Sequence, residues 1–245
     1  TAMLRKKMFD SLVNEQFRHR SVEILRIEAL SDAVFAFSVS LLVASLEVPQ
    51  TFEELKIIVR GALPFFATVA IIFLFWYQQY MYFRRYGLND LSTIVLNLCY
   101  LAIILFYIYP LKFLFSVLLS SWTGIDLFPK ATEKGLAVLH TEDFAQLIIL
   151  FSVGYFFIWM ILFLLHKRAL HFSKKLELNR FELLFTRKEK RGALWNACIG
   201  LLAVVLAWSG IEWLAGLCYL SIPLVLFINQ KIFNFQLKKK DNRNN

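Results

Sequence analysis

The chain has 245 residues, of which 58% are hydrophobic and 16% aromatic, and its formal net charge is +9. Soluble domains contain roughly 45–50% apolar residues, and the excess here lies in long runs. Because a backbone in lipid must satisfy its hydrogen bonds internally, an open sheet is excluded and an all-α integral membrane protein is predicted. The basic residues flank the apolar runs, which favours the positive-inside pattern over nucleic-acid binding.

Six hydrophobic segments follow one another and predict six transmembrane helices in a single domain, residues 1–245. The predicted spans are Leu25–Leu46, Ile57–Tyr82, Leu91–Leu118, Phe144–Leu165, Leu194–Trp213 and Leu214–Phe233. Residues 1–20 are predicted to form a basic amphipathic arm on the headgroups, and Lys167–Arg191 a basic loop. Residues 234–245 are predicted to form a polar tail, disordered from Lys238.

The distribution of Lys and Arg predicts the orientation in the membrane. The segment 167–191 has nine such residues, whereas the loops predicted on the opposite side have only Lys56, Arg60, Lys130 and Lys134. Both termini are therefore expected in the cytoplasm. The polar residues 1–20 lack an apolar signal-peptide core, so an internal span is expected to direct insertion into a cell membrane of prokaryotic type.

The first span, Arg26–Leu46, carries Arg26, Glu28 and Asp32 near one end and hydroxyls at mid-depth. Ionisable groups in a span are costly in lipid and usually face a bundle interior or an aqueous path. This helix is therefore predicted to line the functional centre. The second half of the chain contains no segment that resembles this helix. A pore lined by this helix therefore requires several chains around an axis.

One stripe of this helix contains Phe37, Leu41 and Ala44, with Ser40 at its border. If the stripe faces an axis, it forms a narrow apolar constriction at which an ion must shed water. Apolar stripes more often pack against neighbouring helices, and the pattern alone leaves packing on the second or third span open.

The polar residues at the start of this helix allow two interpretations. A polar clasp would hold the helix in place through hydrogen bonds to other spans. A charge cluster wetted at the membrane interface is the alternative, and the sequence does not separate them. The candidate members are Arg26, Ser31 and Asp32 on the first span, Trp76, Gln78 and Gln79 on the second, and Asn97 on the third.

Signals for other chemistry are weak. No catalytic motif or metal-ligand spacing is present, so no catalytic residue, metal site or cofactor is predicted. The segment 152–156 resembles the TVGYG filter of ordinary potassium channels, but it lies inside an unbroken apolar run and Phe156 replaces the second glycine. It is predicted to be ordinary helix in the fourth span.

The segment 26–43, reading RIEALSDAVFAFSVSLLV, resembles the RxxxFSD signature of the transmembrane protein 175 family, which are potassium channels without a TVGYG filter. Arg26, Ser31 and Asp32 match, and Leu30 replaces the usual Phe. The resemblance extends to Trp76, to Gln78–Gln79 near a usual histidine pair, and through Asn97 to Pro110. Spans four to six match only in their layout.

This resemblance implies a homotetramer of six-span chains in which the first helix of each subunit lines a central pore. It places the constriction at Phe37, Leu41 and Ala44, where the family usually has Ile or Leu, and a selectivity hydroxyl at Ser40. The expected function is passive potassium-permeable conduction, with identical subunits, the lipid bilayer and monovalent cations as partners. A proton- or ion-coupled secondary transporter and a membrane enzyme or assembly factor are the alternatives.

Overall fold

A computed structural model describes residues 17–21, 24–44, 48–128, 138 and 141–241. The helices are α1 Arg26–Ala44, α2 Phe52–Arg60, α3 Ala62–Tyr86, α4 Leu91–Thr123, α5 Thr141–His171, α6 Arg180–Trp208, α7 Glu212–Leu217 and α8 Ile222–Asp241. A 3-10 turn, Cys218–Ser221, joins α7 to α8. The described residues contain no strand, and six stretches are long and apolar enough to cross a membrane. The fold class is therefore an all-α membrane protein, as predicted.

Several boundaries differ from the predicted ones. The second span begins only at Ala62, because Gly61 separates it from the short amphipathic α2. The predicted loop 167–191 is largely helical: α5 continues to His171 and α6 starts at Arg180. Periodicity missed this extension because charged residues interrupt the apolar pattern beyond the hydrocarbon region.

The two ends of the chain fall only partly within the described residues. Residues 1–16 of the predicted arm and residues 242–245 of the tail lie outside them. The part of the tail up to Asp241 belongs to α8, so the prediction of disorder from Lys238 is wrong for residues 238–241.

The bundle is held together by a mainly aromatic core. Its largest fully buried side chains include Tyr82, Tyr86, Tyr100, Phe75 and Phe83. Helix α1 packs on α3 and α4, while α5 packs most extensively on α6, and α4 joins the two groups through α5. Within the described residues, the buried side chains of α1 lie on one side of the helix.

An extended segment, residues 17–21, precedes α1 and contacts the end of α3. The backbone N–H groups of Arg20 and Ser21 lie 3.1 and 3.4 Å from the carbonyl oxygen of Arg84, at the end of α3. Gly87 then turns the chain with φ 56°, a left-handed conformation that favours glycine. We call residues 17–21 the N-terminal strap.

The strap is fixed by one buried carboxylate. The Glu182 side chain has no exposed surface, and its Oε2 lies 2.6 Å from a guanidinium nitrogen of Arg20. Its Oε1 accepts a 2.9 Å hydrogen bond from the backbone N–H of Arg18, and Oε2 one of 2.8 Å from that of Asn179. A buried charge that is fully hydrogen-bonded in this way joins the strap to the start of α6.

A second ion pair closes the same end of the bundle. Asp90 accepts hydrogen bonds from the backbone and hydroxyl of Thr93 at the start of α4 and pairs with Arg168 on α5. Burial alone would raise the pKa of Asp90, but these hydrogen bonds and the Arg168 charge outweigh it and hold the pKa below its usual value. The pair therefore stays charged at neutral pH.

Replacing the buried carboxylate should weaken the fold. In Glu182→Gln, the amide NH2 would face N–H donors, so we expect the free energy of unfolding to fall by about 2–4 kcal/mol. Denaturant titration in mild detergent measures it. The control is Glu53→Gln, which removes an exposed pair with Lys56 at 2.8 Å and should change stability little. Equal effects of the two substitutions would contradict a buried lock at Glu182.

Candidate functional site

Helix α1 has one face that packs within its own chain. The side chains of this face recur at spacings of three or four residues, as expected for one stripe of a helix. They are Ile27, Ser31, Phe35, Ser38 and Leu42, all buried. Because this stripe contacts α3 and α4, the rotation of α1 about its own axis is set by the fold of the single chain.

The opposite face of α1 is largely uncovered by the described part of the chain. Phe37 is 56% exposed, Ser40 and Ala44 are exposed, and Leu41 is half-buried. The interpretation that this stripe packs on the second or third span is therefore wrong for Phe37, Ser40 and Ala44. Asp32, an ionisable residue, is also exposed, but it lies about 140° around the helix from Phe37 and so stands at the edge of this face.

The hydroxyls of α1 are satisfied by the helix itself. Ser31, Ser38 and Ser40 each donate to the carbonyl oxygen four residues earlier, at 2.7, 2.8 and 3.0 Å. Such bonds let a hydroxyl lie in an apolar setting without an unpaired donor. The oxygen of Ser40 keeps its acceptor capacity while its proton is held by the backbone.

A buried chain of hydrogen bonds connects α1 to α3 and α4. The Asn97 Nδ2 donates to Ser31 Oγ at 2.9 Å, and Gln79 Nε2 donates to Asn97 Oδ1 at 3.0 Å. All three side chains are at most 1% exposed. Each of these bonds requires one relative position of the helices that it joins. A rotation or shift of α1 would therefore leave buried amides unpaired.

A second polar contact lies at the edge of the uncovered face. The indole Nε1 of Trp76 donates to Asp32 Oδ1 at 2.7 Å, and the Trp76 ring stacks on Tyr80 with centroids 5.4 Å apart. Ser31 and Asp32 thus reach different helices of the same chain. We call the contacts of Ser31, Asn97, Gln79, Asp32 and Trp76 the polar clasp.

Two residues predicted for the clasp lie elsewhere. Gln79, not Gln78, bonds Asn97, because Gln78 is turned about 100° away on the helix and lines a cavity beside α6 and α8. Arg26 is exposed and makes no side-chain hydrogen bond within the described residues. Glu28, which the sequence did not select, accepts bonds from Ser21 Oγ at 3.2 Å and from the Leu25 N–H at 3.0 Å.

The segment that resembles a potassium filter is helical. Residues 152–156 lie within α5, and Gly154 packs against the Tyr107 ring: a Cβ there would stand 2.4 Å from a ring carbon. The glycine therefore allows α4 and α5 to approach closely, and the prediction of ordinary helix is confirmed.

The chain is similar to known proteins over most of its length. Residues 26–107 match the family described as "Endosomal/lysosomal potassium channel TMEM175". A Marivirga tractuosa protein named "Potassium channel" is 33% identical over 230 residues, covering 90% of this chain and 93% of that protein. A crystal structure of a variant of the potassium channel MtTMEM175 has a TM-score of 0.79 at 31% identity and covers 91% of this chain and 98% of that one.

A second crystal structure supports the fold alone. It is a lysosomal potassium-selective channel TMEM175 homologue from Chamaesiphon minutus, 20% identical with a TM-score of 0.53, and covers 83% of this chain and 96% of that one.

Asn97→Ala should destabilise the protein, because it leaves the buried Ser31 and Gln79 without their partner. The loss is about 1–3 kcal/mol, equivalent to a fall of about 3–10 °C in the thermal unfolding midpoint of a chain this size. The measurement is thermal unfolding in detergent. Asn234→Ala is the matched control, since Asn234 makes only an exposed bond to Gln230 at 3.1 Å. An unchanged midpoint in Asn97→Ala would show that the clasp contributes nothing.

Proposed function

This chain belongs to the TMEM175 family of potassium channels, and we propose that it is itself a potassium-permeable channel in a cell membrane, with passive flux along the first helices of identical subunits. The observation that carries this proposal is the uncovered face of α1. That face presents Phe37, Ser40 and Ala44, which are exposed within the described residues, and it is bordered by the ionisable Asp32 where that residue bonds Trp76. A face bordered by a carboxylate is poorly suited to lipid and suits an aqueous path.

The pore requires more than one chain. A single chain supplies one such helix, and closed rotational symmetry places identical helices around an axis. We propose a homotetramer, as the family resemblance implies. Within the described residues the single-chain fold leaves most of the necessary surface free, because the buried stripe of α1 lies on the opposite face.

The constriction is proposed at Phe37, Leu41 and Ala44. Rings of apolar side chains at successive turns would narrow the pore and force an ion to lose water there. Ser40 would place hydroxyl oxygens near the dehydrating ion, and its 3.0 Å bond to the Ala36 carbonyl leaves the oxygen lone pairs available. Phe37 is larger than Ala44, so we place the narrowest ring at Phe37.

The polar clasp is proposed to hold the pore helix at one rotation. At 100° per residue, a rotation by a single position would replace Phe37 at the axis by Ser38, which is now buried. The hydrogen bonds from Asn97 and Trp76 oppose such a rotation from two directions.

The proposed orientation of the protein in the membrane rests on the position of its basic segments. The strap, the end of α3 and the α5–α6 connection meet at one end of the bundle through Arg20, Arg84 and Glu182. These basic segments are proposed to face the cytoplasm, which places both termini there.

Reconstitution tests this function directly. Purified protein in a planar bilayer with a potassium gradient should give unitary currents that reverse near the potassium equilibrium potential, and its mass in detergent should correspond to four chains. Saturable uptake coupled to protons, without unitary currents, would instead indicate a secondary transporter. A monomer would contradict an axial pore.

Phe37→Ala and Leu41→Ala should widen the constriction and reduce the discrimination among K⁺, Na⁺ and Cs⁺, because a wider ring demands less dehydration. Bi-ionic reversal potentials measure the effect, and we expect shifts of tens of millivolts. Phe157→Ala is the matched control, since Phe157 is 48% exposed on α5, away from the proposed pore. Wild-type reversal potentials in both pore variants would reject this constriction.

A further inference from the structure

A polar cavity of about 250 Å³ lies away from α1, between α3 and α8, with α5 and α6 beneath it. Its lining includes Gln78 on α3, Trp159 on α5, Lys188 and Glu189 on α6, and Gln230 on α8. None of these residues takes part in the polar clasp or the proposed pore. Because polar groups in a membrane bundle are costly to leave unpaired, we expect this cavity to bind a ligand.

Three side chains of this cavity have unused hydrogen-bonding capacity. The half-buried amide of Gln78 makes no hydrogen bond within the described residues. Lys188 and Glu189 form an ion pair, but the Glu189 carboxylate lies 3.7 Å from Lys188 Nζ, which is longer than a hydrogen bond. Unpaired polar groups are costly in a membrane protein, so the Gln78 amide and the free hydrogen-bonding positions of this pair are available to a ligand.

Two other polar residues of the wall are already satisfied and shape the cavity. Asn196 accepts from Tyr155 Oη at 2.7 Å and donates to the Gly192 carbonyl at 2.9 Å. Asn229 accepts from Arg191 Nε at 2.8 Å and donates to the Lys188 carbonyl at 3.0 Å. These bonds hold the cavity wall in place and do not involve the side chains of Gln78, Lys188 or Glu189.

The cavity lies at the depth of lipid headgroups. The exposed Trp208 ends α6 and suits the opposite interface, and Lys188 precedes it by 20 residues, about 30 Å of helix. That length equals the hydrocarbon thickness of a bilayer, roughly 30 Å. Lys188 and Glu189 therefore stand at the boundary between acyl chains and headgroups on the side of the basic segments.

The rim of the cavity has an exposed apolar surface at Leu226. This side chain lines the cavity and is 49% exposed. An acyl chain can lie along this surface while its headgroup enters the cavity. A soluble polar ligand would gain nothing from it.

We propose that the cavity binds the headgroup of a phospholipid with a primary ammonium, as in phosphatidylethanolamine. The phosphate accepts hydrogen bonds from Lys188 and Gln78, and the ammonium donates to the Glu189 carboxylate. The adjacent cation and anion match a zwitterion. A phosphatidylglycerol headgroup supplies no cation for Glu189, and a choline headgroup has no N–H to donate.

The experiment compares phosphatidylethanolamine with its N-methylated forms. Delipidated wild-type protein is incubated with equimolar phosphatidylethanolamine, phosphatidylcholine and phosphatidylglycerol of the same acyl chains, and native mass spectrometry counts the bound lipids. We expect roughly ten-fold preference for phosphatidylethanolamine over phosphatidylcholine, the size of one charge-assisted hydrogen bond. Mono- and dimethylated ethanolamine lipids should bind at intermediate levels.

Variants then test whether the preference for phosphatidylethanolamine depends on Glu189. Glu189→Gln should reduce the ethanolamine-to-choline ratio to within two-fold of unity, whereas Glu53→Gln, the same change on exposed α2, should keep it. Equal binding of the three lipids by the wild type, a preference for phosphatidylglycerol, or an unchanged ratio in Glu189→Gln would each overturn the proposal. Should Glu189→Gln fail to fold, the methylation series on the wild type decides by itself. None of these results depends on potassium conduction.

Discussion

The structure depends on how the buried face of α1 is held against α3 and α4. This face includes Ser31, which is hydrogen-bonded through Asn97 to Gln79, and all three side chains are buried. Desolvation makes such bonds costly to break, so they define the rotation of the helix more sharply than apolar packing does. Everything proposed for the opposite face, including which side chains meet an axis, follows from this rotation.

The N-terminal strap extends this constraint to the rest of the bundle. Glu182 binds Arg18 and Arg20 just before α1 begins, and the strap also pairs with the backbone of Arg84. The Phe17 ring packs edge-on against Tyr86 and Phe185, with centroids 5.7 and 5.6 Å away. The start of α1 is therefore joined to both halves of the chain, although the main contacts of α1 within the described residues are with α3 and α4.

The second half of the chain contains the most extensive helix packing and the polar cavity. Helices α5 and α6 approach closely at Gly200, where a Cβ would stand 3.1 Å from the Tyr155 ring. The same pair of helices forms the floor of the polar cavity with Trp159 and Lys188. The polar residues of α3 accordingly form two groups. Trp76 and Gln79 face α1 and α4, whereas Gln78 faces α6 and α8.

The sequence by itself determined the class of fold and the number of spans, because hydropathy is a local property of the chain. It also selected Ser31, Asp32, Trp76 and Asn97 as residues with partners on other helices. Only the tertiary structure decided that Gln79 rather than Gln78 completes the chain of bonds, and that Phe37, Ser40 and Ala44 stay uncovered. The physical reason is that helical periodicity gives the relative directions of side chains on one helix, whereas the direction of the neighbours is set by packing between helices distant in sequence.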